Sequence, residues 1–205
     1  MSEIPSPDKE DAAWVTIDTP FNAEELRAFV DDVERLFRIN SMLVFENWQS
    51  VDDQEYLLKS KNLSNRKVLE TVLTVDSAND GITVNYRQGL RTSTSFRVES
   101  KDDGKARLIV TDDYSGTPAS DREKRIDEVD KSLVTWGNDL HRYLHQWKRW
   151  SWIPGWQWYM RNIWQPMKPI ARRITYILYV VTVAEMILFL LVFTVFRLEL
   201  SKYLY

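Results

Sequence analysis

The chain has 205 residues with 27 Lys+Arg against 30 Asp+Glu, a formal net charge of −3, so it lacks the basic excess that nucleic-acid binding requires. It contains no cysteine, which excludes disulfides and thiolate metal sites. The near-neutral total hides a strong polarity: residues 1–140 hold 18 basic and 28 acidic side chains, net −10, whereas residues 141–205 hold 9 and 2, net +7.

Residues 1–11 (MSEIPSPDKED) are polar, Pro-bearing and aperiodic, and read as a disordered tail. No apolar h-region or small-residue cleavage site occurs in the first 30 residues, so no signal peptide is expected. A short alternating run at 13–19 predicts a strand, and Asn22-x-x-Glu25 then supplies a helix N-cap with its reciprocal carboxylate. Leu26, Phe29, Val30, Val33, Leu36 and Phe37 continue at helical spacing to Asn40, as two short helices.

After Asn40 the period switches to two. Six strand-like runs follow, at about 42–48, 54–61, 67–75, 82–88, 91–100 and 105–114, separated by turn chemistry such as Asp80-Gly81 and Asp103-Gly104. Alternation of Ile82, Val84 and Tyr86 with Thr83, Asn85 and Arg87 gives an antiparallel sheet with one dry face. Ser120-x-x-Glu123 is a capping box, and Ile126, Val129, Leu133, Trp136, Leu140, Tyr143 and Trp147 step along one stripe of a long helix that covers this face. Gly137 flanks the stripe, where glycine costs about 1 kcal/mol relative to alanine; it admits either a close strand or a guest.

This order predicts an α+β fold, β-α-α-β6-α. With the stretch Glu34 to Asn40 (ERLFRIN) entering a strand at Met42 to Glu46 (MLVFE), the sequence resembles the START-like (SRPBCC) superfamily of polyketide cyclases and lipid-transfer proteins, the helix-grip fold. Many relatives carry proline where Ser41 stands here. The resemblance covers residues 13–150 and implies a cavity for a hydrophobic ligand between a curved sheet and the long helix, with no particular reaction attached.

Strand parity and the helical stripe nominate Tyr86, Phe96, Val98, Leu108, Val110, Leu133, Trp136 and Gly137 as the lining, with Asp112 and Tyr114 at a polar rim. His141 and His145 are spaced i, i+4, but no cysteine or third histidine joins them, and they read as solvated. No nucleophile elbow, phosphate loop or dinucleotide fingerprint is present. The expectation is therefore no catalytic residue, no metal and no cofactor.

Six of the nine tryptophans fall between Trp147 and Trp164, interleaved with Lys148, Arg149 and Arg161. Trp favours the headgroup layer, so a short helix at about 156–165 is expected to lie there, with Trp150, Trp152, Trp156, Trp158, Trp164, Arg172 and Arg173 as interface residues. From Ile174 to Phe196 the chain then runs 23 residues with one charge, Glu185, a length that spans a hydrocarbon core of roughly 30 Å. More basic residues precede this run than follow it, which places the N-terminal domain in the cytoplasm. Thr182 and Glu185 share one side of the helix and suggest contact with a second membrane helix.

The expected organisation is a tail at 1–11, a START-like domain at 12–150, a Trp-rich stem at 151–173, a transmembrane helix at 174–196 and a short tail at 197–205. Two functions fit it. One is a single-pass, membrane-anchored protein that binds a lipid, quinone or polyketide-like molecule. The other is a non-catalytic accessory subunit, or an oligomer, docking on a larger membrane complex. The partners expected are membrane lipids, a hydrophobic small molecule and a membrane protein or second copy, with no nucleic acid.

Overall fold

The computed structural model describes residues 11–118, 120–121 and 132–201. They divide into two compact units between Pro166 and Met167.

The first unit opens with β1 (Ala12–Asp18), α1 (Ala23–Val30) and α2 (Val33–Ile39). The capping box at α1 is formed: Asn22 Oδ1 accepts from the Glu25 backbone N–H at 2.8 Å, and Glu25 Oε2 accepts from the Asn22 N–H at 3.3 Å. Six strands follow: β2 (Leu43–Asp52), β3 (Glu55–Asn62), β4 (Val68–Ala78), β5 (Gly81–Tyr86), β6 (Ser93–Ser100) and β7 (Ala106–Asp113). All pair antiparallel in the order β1-β7-β6-β5-β4-β3-β2.

Two register shifts in β2, between Phe45 and Asn47 and between Ser50 and Asp52, give the bend a sheet needs to curl over its cover. The β4–β5 hairpin closes on Asn79 and Asp80, and only glycine fits at Gly81, where a Cβ would lie 1.9 Å from the Phe96 carbonyl oxygen.

The cover is α3, described over Leu133–Arg149, which buries Leu133, Trp136, Leu140, Tyr143 and Leu144. The expected capping carboxylate, Glu123, and the stripe residues Ile126 and Val129 lie outside the described residues. Trp136 Nε1–H donates to the Leu36 carbonyl at 2.9 Å, and Asp139 Oδ2 accepts from the Ser41 N–H at 2.9 Å, so α3 is tied to the α2–β2 junction.

The chain then turns through Gly155, at φ 81°, into α4 (Trp156–Tyr159) and a five-residue π-helical turn (Met160–Trp164). Among its described residues the second unit contains one helix, α5 (Pro169–Ser201), long and apolar enough to cross a membrane. Its 33 residues extend about 50 Å.

Candidate functional site

The space between sheet and α3 is occupied where the expected cavity was placed. Phe37 projects from α2 into its middle and is 1% exposed. Its ring lies 5.2 Å from Trp136, 6.4 Å from Phe96, 6.4 Å from Tyr86 and 5.8 Å from Trp48. Phe96 and Trp136 meet edge to face at 5.3 Å, the geometry aromatic pairs prefer.

Phe96, Val98, Leu108, Val110, Leu133 and Trp136 are therefore core residues rather than lining. Gly137 faces a strand: a Cβ there would lie 2.7 Å from Val15 Cγ2. Its glycine serves the close approach of β1, and Gly137→Leu is expected to lower stability by about 1–3 kcal/mol, read as a lower urea midpoint. An unchanged midpoint would show that β1 yields freely.

A smaller cavity of about 110 Å³ remains under the β3–β4 and β5–β6 loops. Of the ten residues expected at the site, Tyr86 and Tyr114 line it. The rest of its buried wall is Phe37, Leu43, Leu58, Ser60, Asn62 and Leu90, while Lys67, Val68, Gln88 and Gly89 are exposed at its mouth. The mouth is shaped by local chemistry: Asn62 Oδ1 accepts from the Ser64 N–H at 2.8 Å and Asn65 Oδ1 from the Lys67 N–H at 3.0 Å, around Arg66 at φ 62°.

Ser60 was not anticipated. It sits on β3 between Leu58 and Asn62 on the inward parity, is 0% exposed, and its Oγ has no hydrogen-bond partner among the described residues. The available signal was a polar side chain at an inward position of β3, a parity it shares with the buried Leu58 and Asn62.

Beside the cavity lies a polar cluster. Asp112 is fully buried rather than at a rim; its Oδ1 accepts from Thr94 Oγ1 at 2.6 Å and its Oδ2 pairs with Arg91 Nη2 at 3.2 Å. Arg91 Nη1 also donates to the Tyr86 hydroxyl at 3.2 Å. Burial pushes the Tyr86 phenol up, with Arg91 opposing, and burial likewise raises Tyr143, with Arg35 opposing.

Both folded-state values lie above the ordinary 10.0. These groups therefore contribute stability that is full below that range and is lost as pH rises through the folded values. Thermal melts from about pH 9 to 11 should show this alkaline loss, and Tyr86→Phe with Tyr143→Phe should flatten it. An equally steep decline in the double variant would assign the loss elsewhere.

The stem departs from expectation in part. Met160 is 2% exposed, and Trp156, Tyr159 and Trp164 pack against the domain core. Trp164 lies 5.4 Å from Tyr143, and Arg161 Nη2 pairs with Asp32 Oδ2 at 2.9 Å. The buried Arg35 guanidinium lies 3.9 Å from the Trp147 ring centroid and donates from Nε to the Tyr143 hydroxyl at 3.2 Å. Trp156 and Trp164 therefore face protein, while Trp152, Trp158 and Trp150 remain exposed at 74%, 62% and 37%. Arg172 and Arg173 lie in the first turns of α5, and Thr182 and Glu185 are exposed along it.

His141 and His145 are exposed, with ring centroids 4.3 Å apart. Among the described residues no group of three metal-ligating side chains converges.

No protein-family model matches the sequence, and no curated protein matches it. Solved structures do. A START superfamily protein from Mycobacterium smegmatis aligns at 15% identity and TM-score 0.50, covering 66% of this chain and 98% of its own. The Zhui aromatase/cyclase from a Streptomyces species aligns at 14% identity and TM-score 0.52, covering 69% and 97%. The chain has the START-like helix-grip fold.

Proposed function

We propose that this START-like protein is held at a membrane by α5 and binds a small hydrophobic group in the cavity under the β3–β4 and β5–β6 loops. The observation that carries this reading is the cavity itself, about 110 Å³, bounded on its buried side by Phe37, Leu43, Leu58 and Leu90 and opening at a polar mouth. A cavity of about 110 Å³ is too small to enclose a whole diacyl lipid, so a lipid or other tailed ligand would insert only one end. Stripping the detergent-purified protein over hydrophobic beads should raise amide exchange in β3 and in the β5–β6 loop. Exchange unchanged by stripping would count against a resident ligand.

The exposed stem tryptophans extend the attachment. Trp150, Trp152 and Trp158, beside Arg149, suit the headgroup layer. The basic excess before α5 favours a cytoplasmic domain. All nine tryptophans precede Met167, so quenching of tryptophan fluorescence by lipids brominated near the headgroup reads this unit and not the apolar helix. Quenching is expected in vesicles of the full chain and should fall by about half or more when Trp152 and Trp158 become serine, roughly in line with their share of accessible rings. Unquenched emission in the parent chain would detach the stem from the bilayer.

A second reading, an accessory subunit, is favoured by the filled centre of the domain and by the polar pair on α5. A carboxylate at the middle of a span costs about 2–3 kcal/mol on insertion scales, a cost that a hydrogen-bonding partner helix or second copy would offset. Glu185→Leu should then leave insertion intact and weaken co-purification of that partner. Unaltered co-purification and oligomeric state in mild detergent would leave α5 a simple anchor.

A further inference from the structure

We infer that the outer face of α3 is a docking surface for anionic phospholipid headgroups, whose phosphates meet His141, Arg142, His145 and Arg149. This deepens the membrane attachment proposed above and rests on it: the stem brings the face to a bilayer, and the face selects the lipid.

The sequence supplies the charge. Residues 141–173 hold seven Lys and Arg and no Asp or Glu, the composition of a segment drawn to the anionic leaflet of a membrane. Two of the seven are paired within the domain, Lys148 with Glu25 at 2.6 Å and Arg161 with Asp32 at 2.9 Å. Arg142 and Arg149 pair with no carboxylate among the described residues.

Helix geometry lines up the free ones. The stripe of α3 through Trp136, Leu140, Tyr143 and Leu144 is buried on the sheet, whereas Val134, Asn138, Arg142, His145 and Arg149 recur on the opposite side at helical spacing, with His141 beside them, and all are exposed. From Asn138 to Trp150 these side chains border an open furrow along the helix. The furrow runs into the stem, where the Arg149 guanidinium lies 5.4 Å from the Trp150 ring centroid.

The occupant follows from charge. The rings of His141 and His145 lie 4.3 Å apart, and an imidazole offers at least one N–H in either protonation state, which suits a phosphate oxygen. A metal cation is the other guest two such rings accept, but the guanidiniums of Arg142 and Arg149 repel it and no third ligating side chain joins among the described residues. An anion meets no such opposition. Asp18 on β1, whose charge reaches His141, is held by Lys101 at 3.0 Å, and Asp139 accepts from the Ser41 N–H. The acidic body, net −10 over residues 1–140, is repelled by the same anionic surface that attracts this face.

The chain lacks cysteine, so Asn138→Cys takes a single fluorescent label. Its position lies about 18 Å along the helix from Trp150, at about 1.5 Å per residue, so a headgroup quencher that touches only the stem does not reach it. The full labelled chain is placed in nanodiscs of phosphatidylcholine, with or without phosphatidylserine, each containing a lipid with a nitroxide on its headgroup. Stronger quenching is expected in the phosphatidylserine discs, and the difference should shrink in high salt. A basic side chain near such a surface multiplies the docked population about fivefold. Arg142→Gln with Arg149→Gln should therefore cut the docked-to-free ratio about twenty-five-fold and erase the difference between the lipids, while Arg142→Lys with Arg149→Lys should retain it. Equal quenching of the parent chain in the two lipids, a difference that survives in the glutamine pair, or one that is lost in the lysine pair overturns the docking face, while tryptophan quenching in the same discs shows that the attachment stands. A parent chain that does not enter nanodiscs overturns the attachment and this inference together.

Discussion

Replacing Arg91 by alanine is expected to destabilise the domain by about 3–5 kcal/mol, because it strands Asp112 as a charge without its cation in the interior. Asp112 is 0% exposed, and the Thr94 hydroxyl at 2.6 Å and Arg91 at 3.2 Å help to answer it. Arg91 also braces the Tyr86 hydroxyl from 3.2 Å, so the same change loosens the cavity wall. The companion variant separates charge from shape. Arg91→Met combined with Asp112→Leu removes both ions and should recover most of the loss, since a buried pair is often no better than apolar residues of similar volume. Urea unfolding of the two variants checks this. A double variant as unstable as the single one would mean that the polar cluster, rather than an orphaned charge, holds the loops.

Truncation gives the other large effect. A chain ending after Pro166 should be folded and soluble without detergent, because the described contacts divide between Pro166 and Met167. A chain ending after Trp150 loses the buried Met160 and the half-buried Trp156 and Trp164, and uncovers Tyr143 and Arg35. Full burial of one such side chain contributes about 1.5–3 kcal/mol, so the shorter chain should melt roughly 5–12 °C lower than the one ending at 166. Equal melting of the two would show that the stem lies on the domain without supporting it.

These two variants also mark what the residues reveal before folding. Period-two runs and turn dipeptides located every strand of the sheet to within a few residues, because a half-covered antiparallel sheet must alternate. The capping box at Asn22 likewise positions α1, since its two reciprocal hydrogen bonds are local. Parity, however, reports only which face of the sheet a residue occupies. It says nothing of depth, so Phe96, Val98, Leu108 and Val110 read as lining until Phe37 from α2 meets Phe96 and α1 packs against β6 and β7.

Ser60 shows the converse. Its inward parity is plain in β3, yet its meaning depends on what faces it, which is decided by Leu43 on β2, Leu90 in the β5–β6 loop and Tyr114 after β7. The stem is the same problem in composition: Trp and Arg suit a headgroup layer and a protein interface equally, and only packing separates Trp156 and Trp164 from Trp152 and Trp158. Gly137 was legible as a site of unusual space, and Val15 is what uses it.

The claim that the domain carries a small hydrophobic ligand is tested most directly by native mass spectrometry of the full chain released from mild detergent, followed by solvent extraction. A bound small molecule should appear on the parent chain, and should be absent from Ser60→Leu, in which added carbons press into the cavity from its wall, with melting of both chains confirming the fold. Parent and variant spectra that both match the bare polypeptide would contradict the binding function and leave the docking one.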